Sequence, residues 1–298
     1  MSTHANRWIV GLDLRPSGQG ALRFARWLAS ASRPGEAVFV GVHVLVEAHL
    51  QAALRYHHLD ELIDGAREQA HSVVERAGAT EILGEIHVVQ GRTAEQSLEA
   101  ARVYHHAEAL VVGRLAPRGG HHVFRLGKVA RRLLRKLPAP VVVVPPDWDP
   151  DAVPADGPIV CATNMGEGSA SAARFAAETA ARLGRRLIMI HTVPVPEDYG
   201  AHYIPKASRE KIAAEYQAEA EHSLAAWIEG LGIAGVVPVV RRGHFMEQML
   251  DLTRETKAAM LVIGSRRLST MERLLLTSVS SDLAANAPCP VAVVPPES

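Results

Sequence analysis

Asp13 stands immediately after an apolar run, Trp8–Leu12. Gly113 closes a second such run, Ala109–Val112, and Gly127-Lys128 falls within a basic helical stretch. Glycine lets backbone amides approach a phosphate closely, and a helix N-terminus favours anions. Lys128 and Arg125 add positive charge near that start, with Gly119 and Gly120 between them and Gly113. Anion binding beside a carboxylate is the chemistry these residues suit.

Other constellations are less specific. The pairs His57-His58, His105-His106 and His121-His122 invite a metal. Adjacent residues on a helix point about 100° apart and rarely share one ion, so no metal site is expected. His121 and His122 fall inside the glycine-bearing loop, where they would meet a bound anion. No Gly-x4-Gly-Lys-Ser/Thr loop follows any run, no Gly-x-Gly-x2-Gly follows the first, and no Gly-x-Ser-x-Gly elbow occurs. No enzyme signature of these kinds is present.

The elements that must position these residues alternate. In the first half, apolar runs at Trp8–Leu12, Ala37–Val44, Glu85–Val89, Ala109–Val112 and Val141–Val144 suit parallel strands buried on both faces. Amphipathic segments near Gly18–Ala31, Leu59–Ala77, Thr93–His105 and Val123–Leu137 lie between them. On the last, Arg125, Lys128, Arg131, Arg132, Arg135 and Lys136 read as a solvated basic face. The whole pattern then repeats. Pro140–Pro146 is matched by Pro290–Pro296, Ala109–Gly113 by Met260–Gly264, Ile9-Val10 by Ile159-Val160, and Gly91 by Gly243, at offsets of 150 to 152.

The fold class is accordingly α/β: two tandem open five-stranded parallel sheets, doubly wound, with ligands at the carboxyl ends of the strands where their order reverses. Residues 1–146 form the first domain, the proline- and aspartate-rich stretch 147–157 a linker, and 158–298 the second domain. The 32 basic and 32 acidic residues balance, which argues against nucleic acid or an anionic membrane as the main partner. No apolar run reaches the roughly 20 residues of a membrane span. Two cysteines, Cys161 and Cys289, and a short polar N-terminus fit a cytoplasmic protein.

Read together, these positions resemble the universal stress protein family. Its pattern has an Asp after the first strand, a His-Val pair in the second, a Gly-x2-Gly-x9-Gly-Ser/Thr stretch into the fourth helix, and a closing Pro-Val-x-Val-Val strand. The resemblance runs over the whole chain twice and is closest at Ala287–Val294. It implies an adenine nucleotide alpha hydrolase-like sheet of order 3-2-1-4-5 and a site for ATP, with Mg²⁺, or a related adenine nucleotide. Asp13 would contact the adenosine moiety, the backbone of Val44 in His43-Val44 would read the adenine edge, and Gly113 would open the phosphate loop. Gly127 arrives one residue late, Lys128 replaces the hydroxyl after it, and Ala116 stands for the second glycine. In the second half the aspartate position reads as Thr163, the adenine position as Thr192, and the glycines after Gly264 as Arg267 and Thr277. That half is expected not to bind.

The resemblance makes the chain a stress-response binding protein rather than an enzyme. A pure interaction module without nucleotide, and a slow ATP hydrolase using Asp13, stay open beside it. Val141–Val144 and Val291–Val294 are apolar strands that need covering, by internal pairing of the two domains or in a homodimer. The protein partner is not legible.

Overall fold

A computed structural model describes residues 6–15, 18–33, 35–55, 58–115, 126–194, 203, 205–265 and 279–297. The chain divides into two compact units, whose main bodies run Met1–Ala152 and Val153–Leu283.

In the first unit the elements are β1 (Asn6–Gly11), α1 (Gln19–Ala31), β2 (Ala37–Val46), α2 (Glu47–Arg55), α3 (Leu59–Arg76), β3 (Leu83–Gly91), α4 (Ala94–Tyr104), β4 (Ala109–Gly113), α5 (Lys128–Lys136) and β5 (Val141–Val144). The strands are parallel in the order β3-β2-β1-β4-β5, as the resemblance implies. Apolar residues without polar alternation end up covered on both faces: Trp8, Ile9, Val10 and Ala109–Val111 are wholly buried. Two features differ from the sequence expectation. The segment after β2 holds a helix of its own, α2, ahead of α3. The fourth amphipathic segment is helical over Lys128–Lys136, while the first part of the expected Val123–Leu137 span lies outside the described residues.

Trp8, Phe24, Trp27, Phe39 and Trp148 form one aromatic cluster with ring centroids 5.6–6.5 Å apart. Trp148 comes from the stretch read as a linker, yet it is only 5% exposed. Arg23 on α1 donates to the carbonyls of Trp148 (2.9 Å) and Pro146, and a single 3-10 turn follows at Pro150–Ala152.

The second unit has β6 (Ile159–Ala162), α6 (Glu167–Arg182), β7 (Leu187–Val193), α7 (Lys206–Gly230), β8 (Val236–Arg242), α8 (Phe245–Glu255), β9 (Met260–Gly264), α9 (Val279–Asn286) and β10 (Val291–Val294). Its order is β8-β7-β6-β9-β10. Strand register fixes the correspondence of the two halves. Trp8 pairs with Ala109 as Ile159 pairs with Met260. The Leu12 amide bonds Val42 O at 2.8 Å as the Thr163 amide bonds Ile190 O at 2.9 Å. Thr163 is thus the counterpart of Leu12, and Asn164, not Thr163, takes the place of Asp13.

Candidate functional site

The β1–β2 ladder ends at Gly11–Val42, and the β4–β5 ladder at Gly113–Val144. Asp13 lies just past the first and Gly113 on the last rung of the second. β1 and β4 leave the sheet's midline in opposite directions here, the switch point of a doubly wound sheet. Val44 lies beyond the last β1–β2 rung while still paired with Val89 on β3. Asp13, Val44 and Gly113 therefore share the carboxyl edge of three neighbouring strands.

Two local devices build the Asp13 turn. The His43 ring donates from Nδ1 to Leu12 O at 2.9 Å, which ties β2 to the residue before Asp13. Gly18, at the head of α1, lies so close that a Cβ there would collide with the Asp13 carbonyl and Cβ. The carboxylate meets Arg15: Nε lies 2.8 Å from Oδ1 and 3.1 Å from Oδ2, Nη2 2.8 Å from Oδ2, and the Arg15 amide 3.2 Å from Oδ1. The hydrogen bond and charge of Asp13 raise the guanidinium pKa above its usual value. Sequence reasoning missed Arg15, although its two-residue spacing from Asp13 is a common local pairing.

Gly127 is the N-cap of α5, with φ −60° and ψ 160°, and Lys128 is the first helical residue. Gly127 has no side chain to cap this end, and no acidic residue sits in its first turn. Among the described residues the first-turn amides face no side-chain acceptor, and such amides suit an anion or water. The backbone at Gly127 is one any residue adopts, and a Cβ there would meet only the Leu115 side chain at 3.2 Å. Residues 116–125, with Gly119, Gly120, His121, His122 and Arg125, lie outside the described residues. The basic face of α5 is not wholly solvated: Arg132 Nη1 reaches the buried Glu95 of α4 at 3.2 Å.

In the second unit the counterpart of the Asp13 turn closes on itself, while Arg267 and Thr277 lie outside the described residues. Asn164 Oδ1 accepts from Gly166 N at 3.1 Å and Ser169 Oγ at 2.7 Å, and the Asn164 amide donates to Ser169 Oγ at 3.3 Å. Thr163 Oγ1 accepts from the Met165 amide at 2.8 Å, with Met165 in the left-handed region at φ 61°. The His191 Nδ1–Thr163 O bond, 2.9 Å, repeats that of His43. Gly264 has a packing reason to be glycine: a Cβ would collide with Gly168 O at the head of α6. Cys161 is fully buried, and desolvation pushes its pKa up to about 12, which leaves an inert thiol. Among the described residues no helix is long and apolar enough to cross a membrane.

Comparison with known proteins agrees with this architecture. The profile of the universal stress protein family matches residues 5–145 and again 157–295. A universal stress protein of Mycobacterium tuberculosis is 27% identical over 300 residues, covering 96% of this chain and 95% of its own. One from Thermus aquaticus is 30% identical over 135 residues, 43% of this chain and 93% of its own. In fold, a solved universal stress protein from Archaeoglobus fulgidus has a TM-score of 0.70 at 17% identity, covering 99% of this chain and 100% of that one. With the family profile spanning both halves, the chain belongs to the universal stress protein family and carries its domain twice in tandem.

Proposed function

We propose that this tandem universal stress protein is a stress-response binding protein that takes ATP or a related adenine nucleotide, with Mg²⁺, in its first unit. The observation that carries the reading is the Asp13 carboxylate at the β1/β4 switch point, on the same sheet edge as Val44 and Gly113. Asp13 would hold the adenosine moiety and the Val44 backbone the adenine edge. Gly113, Gly127 and Lys128 would face the phosphates, with the α5 N-terminus supplying amides. The second unit, with Asn164 consumed by its own turn, does not take the nucleotide. Binding rather than turnover fits a carboxylate whose side-chain partner among the described residues is an arginine.

The reading is tested by calorimetric titration of MgATP into wild-type protein and Asp13→Ala. About one nucleotide per chain, bound at least ~1.4 kcal/mol (tenfold) more weakly in the variant, is the expected result. One specific observation favours the interaction-module reading: Arg15 already satisfies both Asp13 oxygens. Absence of heat in both proteins, with no nucleotide carried through purification, would establish that alternative.

A further inference from the structure

At the opposite, amino-terminal end of the first unit's sheet, three residues distant in sequence converge. Glu85 and His87 lie two apart on β3, so they share one face of the sheet's outer strand. His105 is the C-cap of α4. One ligating atom from each lies within 4.8 Å of the other two. Glu85 Oε2 is 2.8 Å from His87 Nε2, and the His87 and His105 rings stand 5.0 Å apart, centroid to centroid.

The fold holds His105 from several sides. Its amide bonds Ala101 O at 2.9 Å, and Arg7 Nη1 donates to its carbonyl at 3.3 Å. The next residue, His106, takes the left-handed conformation (φ 52°) that turns the chain toward β4. Tyr104 packs edge-on against the ring at 4.9 Å. A preset helix end thus presents an imidazole to a strand that supplies a second imidazole and a carboxylate.

We propose that Glu85, His87 and His105 form a binding site for one divalent transition ion of the Zn²⁺ class, with water completing the coordination. Two imidazoles and one carboxylate are a donor set that zinc accepts, and an open position is normal where the ligands face solvent. Tetrahedral zinc with bonds of about 2.0–2.2 Å sets donors roughly 3.3 Å apart, so modest side-chain rotation within the present spacing suffices. The ion replaces the proton shared by Glu85 and His87. Burial and the neighbouring His87 lower the His105 pKa, which favours the neutral, ligating imidazole. The Arg7 charge nearby opposes a cation and keeps the site weaker than a buried structural centre.

The second unit supplies an internal contrast. By strand register Glu85 and His87 correspond to Val237 and Val239, and the C-cap of α8 is Thr256. The ligand set is specific to the first unit. It was not legible from the adjacent histidine pairs, because its two histidines come from β3 and α4.

The test titrates Zn²⁺ alone into the full chain as wild type, His87→Ala, His105→Ala and, as an exposed control, His71→Ala, with folding checked by circular dichroism. One strong equivalent in wild type, weakened at least tenfold in both site variants and unchanged in His71→Ala, is expected. Cu²⁺ electron paramagnetic resonance should show two imidazole nitrogens in wild type and one in either site variant, which a merely structural role would not produce. Absence of a stoichiometric wild-type site, or full affinity in either site variant, overturns the proposal. MgATP binding is measured separately on the same variants, so failure of the nucleotide reading leaves this result intact.

Discussion

The guanidinium of Arg15 grips both carboxylate oxygens of Asp13, Nε and Nη2 each 2.8 Å from its oxygen, within one exposed turn after β1. The pair is preorganised but wet: the Arg15 side chain is 62% exposed and that of Asp13 32%. Exposed pairs contribute only about 0–1 kcal/mol to stability. The carboxylate's position at the switch point thus reflects the turn more than the ion pair.

Asp13→Asn should therefore change unfolding free energy by less than ~1 kcal/mol while weakening MgATP at least tenfold. Urea unfolding beside calorimetry separates the two quantities. A large stability loss with unchanged nucleotide affinity would make Asp13 a structural residue. Arg15→Leu, which removes the guanidinium and leaves Oδ1 only the residue-15 amide, should leave the fold equally unperturbed.

The His43–Leu12 and His191–Thr163 bonds are the same device used twice, each fastening the second strand of a unit to the residue after its first. Replacing either histidine by leucine leaves a carbonyl without its donor and should cost about 1–2 kcal/mol. The two losses should be similar, as read from urea midpoints. Near-zero change would mean that water takes over the carbonyl.

Acid should weaken the first unit in two steps. The folded His105 pKa lies below its ordinary 6.5, chiefly through burial and then the His87 charge. The folded state therefore binds fewer protons, so stability is full above about 6.5 and is lost as pH falls through the folded value. Glu85 is lowered from 4.5, first by its hydrogen bond to His87, so its contribution persists above about 4.5 and disappears as pH falls through its folded value. Unfolding followed against pH in the presence of a chelator should lose the upper step in His105→Gln and the lower step in Glu85→Gln. An unaltered profile in both variants would contradict these shifts.

Gly264 and Gly127 should behave oppositely. Gly264→Ala forces a Cβ into Gly168 O and should cost at least ~2 kcal/mol of unfolding free energy. Gly127→Ser fits an N-cap backbone and should shift stability by less than about 0.5 kcal/mol. Its hydroxyl would occupy an α5 amide and so weaken MgATP. Thermal melts paired with titrations distinguish the packing glycine from the ligand-facing one.

The fold was legible because buried parallel strands leave unmistakable apolar runs, such as Val141–Val144, between amphipathic segments. Register was not. Ile9-Val10 and Ile159-Val160 match by residue type, but the ladders set Trp8 against Ile159, and that single step moves the carboxylate's counterpart from Thr163 to Asn164. Hydrogen bonding, not identity, decides such a step. Asp13 and Gly113 were visible because each ends an apolar run. The partners of Asp13, and close approaches such as Gly18 against its carbonyl, depend on turn geometry that composition does not encode.

Trp148 gives the first half a natural place to end. Its indole packs tilted against Phe24 and edge-on to Trp27, and Arg23 donates to its carbonyl. Excising the half at the last strand would strip a lid from these aromatic rings and leave a sticky, aggregation-prone scar. Carried through Ala152, the same segment keeps these rings sealed.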